Sequence, residues 1–284
     1  MPFKSIVIGE SGTGKTHSLM TLIPAGQKLR LVSIENNSLN VIKKAIKEYQ
    51  VKVRAKKVPP IQEGQLGVMI PGKPKLGLAD FHKAQKENLG KTTDVVMKQT
   101  DPKKKDYTRF IEVVESTVSF TDSLSGENMG LISDWGEDTT LALDSLTILC
   151  EAIKQHTIGG KVAISQPEWG MMQTTLKGYL RILTDDLLCN LVLLAHPVKE
   201  VDPNMGVTRI YPANLGVALN GEIPAMFTES IWAYTEKGLF YWSTQDKLCV
   251  TRHTFLPPSP KLEQDYKLYN LDLLKPDKTL EATE

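Results

Sequence analysis

Short apolar runs and stretches with helical spacing alternate along most of the chain. Four apolar runs have the length of buried strands: 5–8, 29–34, 140–145 and 189–195. Three stretches between them repeat apolar residues three or four positions apart, as on one face of a helix: 38–49, 107–118 and 169–183. Strands that alternate with helices are typical of a parallel sheet covered on both faces. The pattern therefore predicts an α/β fold, with a mostly parallel sheet flanked by helices.

The stretch 51–106 departs from this pattern. It carries thirteen lysine or arginine residues against six acids, with prolines and glycines throughout. We interpret it as a basic insertion, partly irregular, with one short helix near 78–87. Its lysines would either form an electrostatic surface for nucleic-acid phosphates or belong to a solvated, mobile segment.

The C-terminal third predicts antiparallel structure. Residues 230–234 and 239–243 are rich in aromatic and β-branched residues and flank a turn, which is typical of a β-hairpin. Residues 248–252 would add an edge strand. By contrast, 197–221 has no sustained period and predicts a long loop, which in a compact domain is usually functional or disordered.

The last part of the sequence, 253–284, is polar and proline-containing. It predicts an extended tail with limited core contacts. We therefore divide the chain into one domain over 1–252, which includes the basic insertion, and a tail over 253–284.

Composition narrows the functional classes. The chain has 284 residues, 41% of them hydrophobic, and a formal net charge of +1, so no chain-wide nucleic-acid signature is present and any basic surface must be local. The three cysteines lie far apart without a Cys-x-x-Cys pair, which predicts free thiols in a reducing compartment. No signal peptide opens the sequence and no apolar run approaches the ~20 residues of a membrane span. These observations predict a cytoplasmic protein with no membrane partner.

The most specific motif follows the first strand. Residues 9–16 read Gly-Glu-Ser-Gly-Thr-Gly-Lys-Thr, which is the Walker A pattern between a strand and a helix. Its glycines allow backbone N–H groups to approach phosphate oxygens, its lysine reaches the β and γ phosphates, and its threonine offers a hydroxyl to Mg²⁺. The sequence therefore predicts a site for ATP with Mg²⁺. Its candidate nucleotide-binding residues are Gly9, Glu10, Ser11, Gly12, Thr13, Gly14, Lys15, Thr16 and His17.

Three polar side chains end later strands. Asp144 closes an apolar run in the Walker B pattern and is a candidate Mg²⁺ ligand with Thr16. Glu35 and His196 follow the second strand and the strand at 189–195. Because ligands bind at the carboxyl edge of an open parallel sheet, we expect all three side chains to lie near the Walker A loop.

This succession resembles the RecA-like P-loop ATPases, and within them the bacteriophage ATPases associated with single-strand annealing and recombination. The resemblance covers roughly 3–50 and 107–252. It implies that Lys15 and Thr16 bind phosphate and Mg²⁺ and that Asp144 supports the metal. It also implies that Glu35 orients the attacking water and that His196 stands where related proteins commonly place a glutamine that senses the γ-phosphate.

Two details refine the resemblance. Ser145 follows Asp144, whereas AAA+ ATPases have a glutamate directly after the Walker B aspartate, so the RecA-like alternative is favoured. At the second strand, an alignment on Leu39 places Asn36 rather than Glu35 in the position of the catalytic acid.

The resemblance further implies that two connections contact single-stranded DNA, namely 157–168 and 199–221. Their candidate phosphate contacts are Lys161, Lys199 and Arg209, although these connections lack the interleaved aromatic residues of a base-stacking platform. A homo-oligomer, ring or filament, is implied as well, in which Arg252 would reach a neighbouring subunit's nucleotide as an arginine finger. Phage or host replication and recombination proteins would be further partners, in the host cytoplasm if the protein is phage-encoded.

The expected function is thus ATP binding and hydrolysis by a RecA-like protein that acts on single-stranded DNA in phage recombination or replication. A second hypothesis is a nucleotide-switched assembly protein of the helicase-loader type, without DNA-stimulated turnover. A third hypothesis, a small-molecule kinase, needs an arginine-rich lid, whereas the insertion is rich in lysine.

Overall fold

The structure is a computed structural model. It describes residues 2–35, 38–72, 107–159, 161, 163–201 and 206–269, together with positions 82, 86, 89 and 91. Its strands are β1 Lys4–Gly9, β2 Lys28–Ser33, β3 Leu66–Met69, β4 Ser119–Thr121, β5 Asn128–Leu131, β6 Thr139–Asp144, β7 Asn190–Ala195, β8 Pro197–Val201, β9 Thr208–Pro212, β10 Glu229–Glu236, β11 Leu239–Ser243 and β12 Leu262–Glu263. Its α-helices are α1 Lys15–Ser18, α2 Ser38–Arg54, α3 Arg109–Ser116, α4 Leu146–Ile158, α5 Gln166–Arg181 and α6 Glu222–Ala225.

The main sheet has the strand order β12-β11-β10-β1-β7-β6-β2-β3. From β10 to β3 all neighbouring strands are parallel, and β11 and β12 are antiparallel additions at one edge. The predicted α/β fold with a mostly parallel sheet is therefore confirmed, and so is the C-terminal hairpin, which is β10 and β11. The strand order also places β7 between β1, which carries the Walker A loop, and β6, which ends in Asp144.

Successive residues of each central strand enter two different cores, because side chains alternate across a sheet. On β1, Ile6 and Ile8 join a core with α3, α4 and α5. Val7 points to the other face, where α2, the helical turn after the Walker A loop and two tyrosines near the C-terminus pack. Both faces of the strand that carries the loop are thus closed by packing, which holds that loop rigidly at the sheet edge.

The predicted basic insertion begins later than expected. Residues 51–54 complete α2, and Leu66–Met69 form β3, which pairs in parallel with β2 and has Val68 fully buried. The sequence pattern did not predict this strand, because proline and glycine surround it and because a four-residue edge strand gives little periodicity. The helix expected near 78–87 and most of 73–106 lie outside the described residues.

Two further segments are more ordered than the sequence indicates. Residues 197–212, predicted as part of a long loop, contain the antiparallel pair β8 and β9, with Val198 opposite Tyr211. Residues 119–131, for which no strand is predicted, contain the antiparallel pair β4 and β5. The expected edge strand at 248–252 is reduced to isolated bridges at Cys249 and Arg252.

The described part of the expected extended tail, 253–269, is anchored to the domain by buried side chains. After β12, Tyr266 and Tyr269 are 0% and 2% exposed, and both rings lie against Phe3. The hydroxyls of Tyr269 and Ser5 are 2.6 Å apart. Aromatic burial of this kind outweighs the polar composition that suggested a tail. Residues 270–284 lie outside the described part of the chain.

No α-helix within the described ranges combines the length and the apolar composition that a membrane crossing requires.

Candidate active site

The Walker A loop runs from the end of β1 to the start of α1, and its glycines serve different purposes. Gly12 and Gly14 have φ of 80° and 84°, in the left-handed region that side chains disfavour. Gly9 is needed for close approach, because a Cβ there would lie 2.5 Å from the main-chain oxygen of Ala233 on β10. The glycine pattern therefore reflects both a tight turn and direct contact with the neighbouring strand.

Lys15 is buried at the first position of α1. Its Nζ donates hydrogen bonds to the main-chain oxygens of Gly9 at 2.6 Å and Glu10 at 2.9 Å. Burial lowers its pKa, while the carboxylates of Asp144, Glu35 and Glu10 act in the opposite direction. A triphosphate in the loop would give the ammonium anionic oxygens in place of the two carbonyl oxygens, which are weaker partners.

Thr16 and Asp144 meet although 128 residues separate them in sequence, and the Thr16 Oγ1 donates to Asp144 Oδ2 at 2.8 Å. Burial raises the pKa of Asp144 to about 6, with a further contribution from the negative charge of Glu35. A hydroxyl and a carboxylate side by side are oxygen donors of the kind that Mg²⁺ takes alongside phosphate and water. The donor set at this position therefore fits Mg²⁺ bound together with a nucleotide.

Glu35, Ser145 and His196 form a second cluster beside this pair. Glu35 Oε1 accepts a hydrogen bond from Ser145 Oγ at 3.1 Å and lies 3.1 Å from His196 Nε2. The hydrogen bond from His196 is the largest cause that lowers the pKa of Glu35, so its carboxylate is ionised at neutral pH. These side chains converge because β7, β6 and β2 are adjacent and parallel, which brings their carboxyl ends to one edge. Asn36, the alternative acid position, lies outside the described residues.

Apart from Ser145, these groups line a cavity of about 510 Å³, which is within the size range of small-molecule sites. Four further lining residues were missed by the sequence analysis. They are Val41, Lys44 and Glu48 from α2 and Phe240 from β11. His17, at the mouth, is hydrogen-bonded to Glu48 through its Nε2.

Phe240 gives the cavity an aromatic wall. The residue is 48% exposed, and its Cδ1 would lie 3.0 Å from a Cβ placed on Gly14. A flat apolar ring beside a phosphate loop offers a nucleobase a stacking surface. The only sequence signal for this role is an aromatic residue just after the hairpin turn, which packing alone would also explain.

The three residues predicted to contact DNA lie in different environments. Lys161 is 5% exposed, and its Nζ donates to both carboxylate oxygens of Glu168 at 2.9 Å. Glu168 also accepts from the main chain and hydroxyl of Ser165, so the pair closes the N-terminus of α5. Lys161 is thus engaged inside the chain, whereas Lys199 is exposed on β8. Arg209, on β9, is half-buried opposite Glu200.

Arg252 lies at the other edge of the sheet from the Walker A loop. It bridges to Ser230 near the start of β10, whereas Gly9 pairs with Ala233, three residues further along that strand. Its Nη1 donates to the main-chain oxygens of Ala225 and Phe227 at 3.2 Å. It therefore does not reach the cavity of its own chain.

The fold and the site together define an α/β protein with a Walker A loop at the carboxyl edge of a mostly parallel sheet. No protein-family model matches the sequence, and no curated protein matches it. Among solved structures, the chain is similar to a prototypical ATPase from the type III secretion system of pathogenic bacteria, with a TM-score of 0.40 and 10% identity over 82% of this chain and 52% of that one. The chain spans about half the length of that ATPase. A likeness this distant carries no information about the activity of this chain.

Proposed function

We propose that the protein binds ATP with Mg²⁺ and hydrolyses it as a RecA-like ATPase. The observation that carries the proposal is the convergence at one cavity of a Walker A lysine, a hydroxyl and carboxylate pair, and an ionised carboxylate outside the loop. The Thr16 to Asp144 distance of 2.8 Å and the Glu35 to His196 distance of 3.1 Å bring these groups together at one sheet edge. Phosphoryl transfer to water needs these elements: charge neutralisation and a positioned nucleophile.

Each residue has a role that follows from its surroundings. Lys15 would exchange its two carbonyl partners for phosphate oxygens and neutralise charge that develops on them. Thr16 and, through water, Asp144 would hold Mg²⁺, which when bound supplies positive charge to the β and γ phosphates. Glu35 would accept a hydrogen bond from the attacking water and orient it, because its pKa is low enough to keep it ionised. His196 holds that carboxylate through Oε1.

We further propose that the ATPase acts on single-stranded DNA, in phage recombination or replication, and works as a homo-oligomer. The support is the family resemblance and the position of the β8–β9 hairpin. The hairpin starts directly after His196, whose main-chain oxygen accepts a hydrogen bond from the N–H of Ala213, just beyond β9, at 2.7 Å. A shift of His196 at the nucleotide would therefore be transmitted to both ends of a hairpin that carries the exposed Lys199.

The decisive experiment measures the ATPase rate of the wild-type protein and of Lys15→Ala, with and without single-stranded DNA, at two salt concentrations. We expect Mg²⁺-dependent hydrolysis that is lost in Lys15→Ala, stimulated by DNA, and less stimulated at high salt because phosphate contacts release counterions. Turnover in Lys15→Ala at the wild-type rate would refute the site. Nucleotide binding without DNA-stimulated turnover would instead favour the nucleotide-switched assembly protein, in which the site controls a protein partner.

A further inference from the structure

The C-terminal strap, residues 262–269, touches the Walker A loop. Gln264 makes this contact, and its Nε2 donates hydrogen bonds to the main-chain oxygens of Thr13 at 2.9 Å and Tyr241 at 3.0 Å. Its Oε1 would lie 2.8 Å from a Cβ placed on Gly14. The amide of Gln264 therefore packs against the peptide that joins Thr13 to Gly14.

That peptide joins two differently constrained residues. The N–H and the hydroxyl of Thr13 both donate to the main-chain oxygen of Glu10, at 3.4 and 2.8 Å, whereas Gly14 has a positive φ, a conformation that only glycine adopts readily. In a planar trans peptide the carbonyl oxygen and the amide hydrogen point to opposite sides. A hydrogen bond that holds the oxygen of Thr13 toward the strap thus also holds the N–H of Gly14 away from the strap.

The strap itself is anchored on both sides of Gln264. Before it, β12 pairs with β11, with Leu262 opposite Trp242. After it, the N–H of Tyr266 donates to Thr21 Oγ1 at 2.9 Å, and the Tyr266 ring packs edge-on against Trp242 at 4.9 Å between ring centroids. Gln264 can act as a fixed support because these contacts leave its backbone little freedom.

We propose that Gln264 is a positioning residue for phosphate binding, which holds the Thr13–Gly14 peptide so that the N–H of Gly14 faces the nucleotide. This inference rests on the proposed function, since it assumes that the loop binds phosphate. Preorganised donors bind an anion more tightly because they are not reoriented on binding. Loss of the amide should therefore weaken nucleotide binding without unfolding the domain.

The test compares dissociation constants for Mg²⁺-ADP and Mg²⁺-ATP with melting temperatures in the wild type and five variants. Gln264→Ala should weaken nucleotide binding about two- to tenfold, the effect of one net hydrogen bond, with a melting temperature close to wild type. Gln264→Glu, of the same shape, should weaken it further because an ionised carboxylate cannot donate to Thr13 and adds negative charge beside the loop. Gln245→Ala, at an exposed glutamine just beyond β11, is the matched control and should change neither quantity.

Tyr269→Phe separates positioning from general stability. It removes the hydroxyl contact with Ser5 and should lower the melting temperature while the nucleotide dissociation constant stays at the wild-type value. The positioning role is refuted if Gln264→Ala binds nucleotide as the wild type does. It is also refuted if Gln264→Ala and Tyr269→Phe both lose nucleotide affinity in proportion to their loss of stability. Lys15→Ala distinguishes this failure from that of the proposed function. A wild-type protein that binds no nucleotide would overturn both, whereas binding that is lost only in Lys15→Ala would overturn the Gln264 inference alone.

Discussion

Glu35→Gln should separate nucleotide binding from hydrolysis. Glu35 stands outside the Walker A loop, and its carboxylate is held by Ser145 and His196 at 3.1 Å each. Because the hydrogen bond from His196 lowers its pKa, the acid is ionised at pH 7.5. Under the proposed function, the wild-type carboxylate is therefore ready to orient the attacking water and accept its proton. Glutamine keeps the shape and can still accept a hydrogen bond, but it cannot take a proton.

The expected loss of rate follows from the ionised state of Glu35 and from the inability of glutamine to take a proton. A positioned general base contributes ~10²–10⁴ in rate, or about 3–5 kcal/mol of activation free energy, so the turnover number should fall by that factor. The side chain is 35% exposed, so the free energy of unfolding should change by less than about 1 kcal/mol. Binding of Mg²⁺-ATP should persist and tighten slightly, because a negative charge near the γ-phosphate is removed.

The assay is single-turnover hydrolysis at saturating protein, with a fluorescent nucleotide to measure affinity separately. Glu151→Gln is the matched control, since it makes the same substitution at an exposed position on α4. Wild-type turnover in Glu35→Gln would refute its role at the water. A loss of affinity equal to the loss of rate would show that Glu35 serves nucleotide binding and not the chemical step.

Three further predictions concern other parts of the chain. Gly9→Ala should lower the free energy of unfolding by about 1–3 kcal/mol in denaturant titrations, because the new methyl group meets a main-chain oxygen of β10. The control Gly170→Ala, in open space on α5, should be neutral or stabilising. Glu229→Gln should raise the melting temperature at pH 7.5 but not near pH 4: burial raises the pKa of Glu229 above 4.5, so the folded chain holds the proton more tightly and the cost of ionisation grows as pH rises. An unchanged difference between pH 4 and pH 7.5 would contradict this. Lys199→Ala should weaken single-stranded DNA binding and reduce its log–log salt slope by about 0.7–1, while Lys161→Ala should lower stability and leave DNA affinity unchanged, which a salt titration of both variants tests.

Several features of the site are local and could be predicted from the sequence. The Walker A loop needs glycine at particular positions, and Lys15 and Thr16 follow within the same turn, so spacing alone identifies them. Glu35, Asp144 and His196 could be predicted from order along the chain, because a polar residue after a parallel strand reaches the carboxyl edge wherever that strand lies. The sequence also indicated the sheet and its terminal hairpin through periodicity.

Other features depend on strand order and on contacts between distant segments. Glu35 meets His196 only because β6 alone separates β2 from β7 in the sheet, an order that periodicity does not encode. The sequence indicated Lys161 as a phosphate contact, yet in the fold its side chain is buried and forms an ion pair with Glu168. The polar composition of 253–284 predicted an extended tail. The burial of Tyr266 and Tyr269 could not be predicted, because it depends on a surface that distant parts of the chain form.

For this protein, the sequence alone predicted which residues would carry phosphate and metal chemistry under the proposed function, because such residues must be adjacent or must end strands. Only the tertiary structure decided which groups support them. Gln264 lies 251 residues from Thr13, and a contact at that separation depends on the packing of β12 and the aromatic anchors rather than on any local pattern.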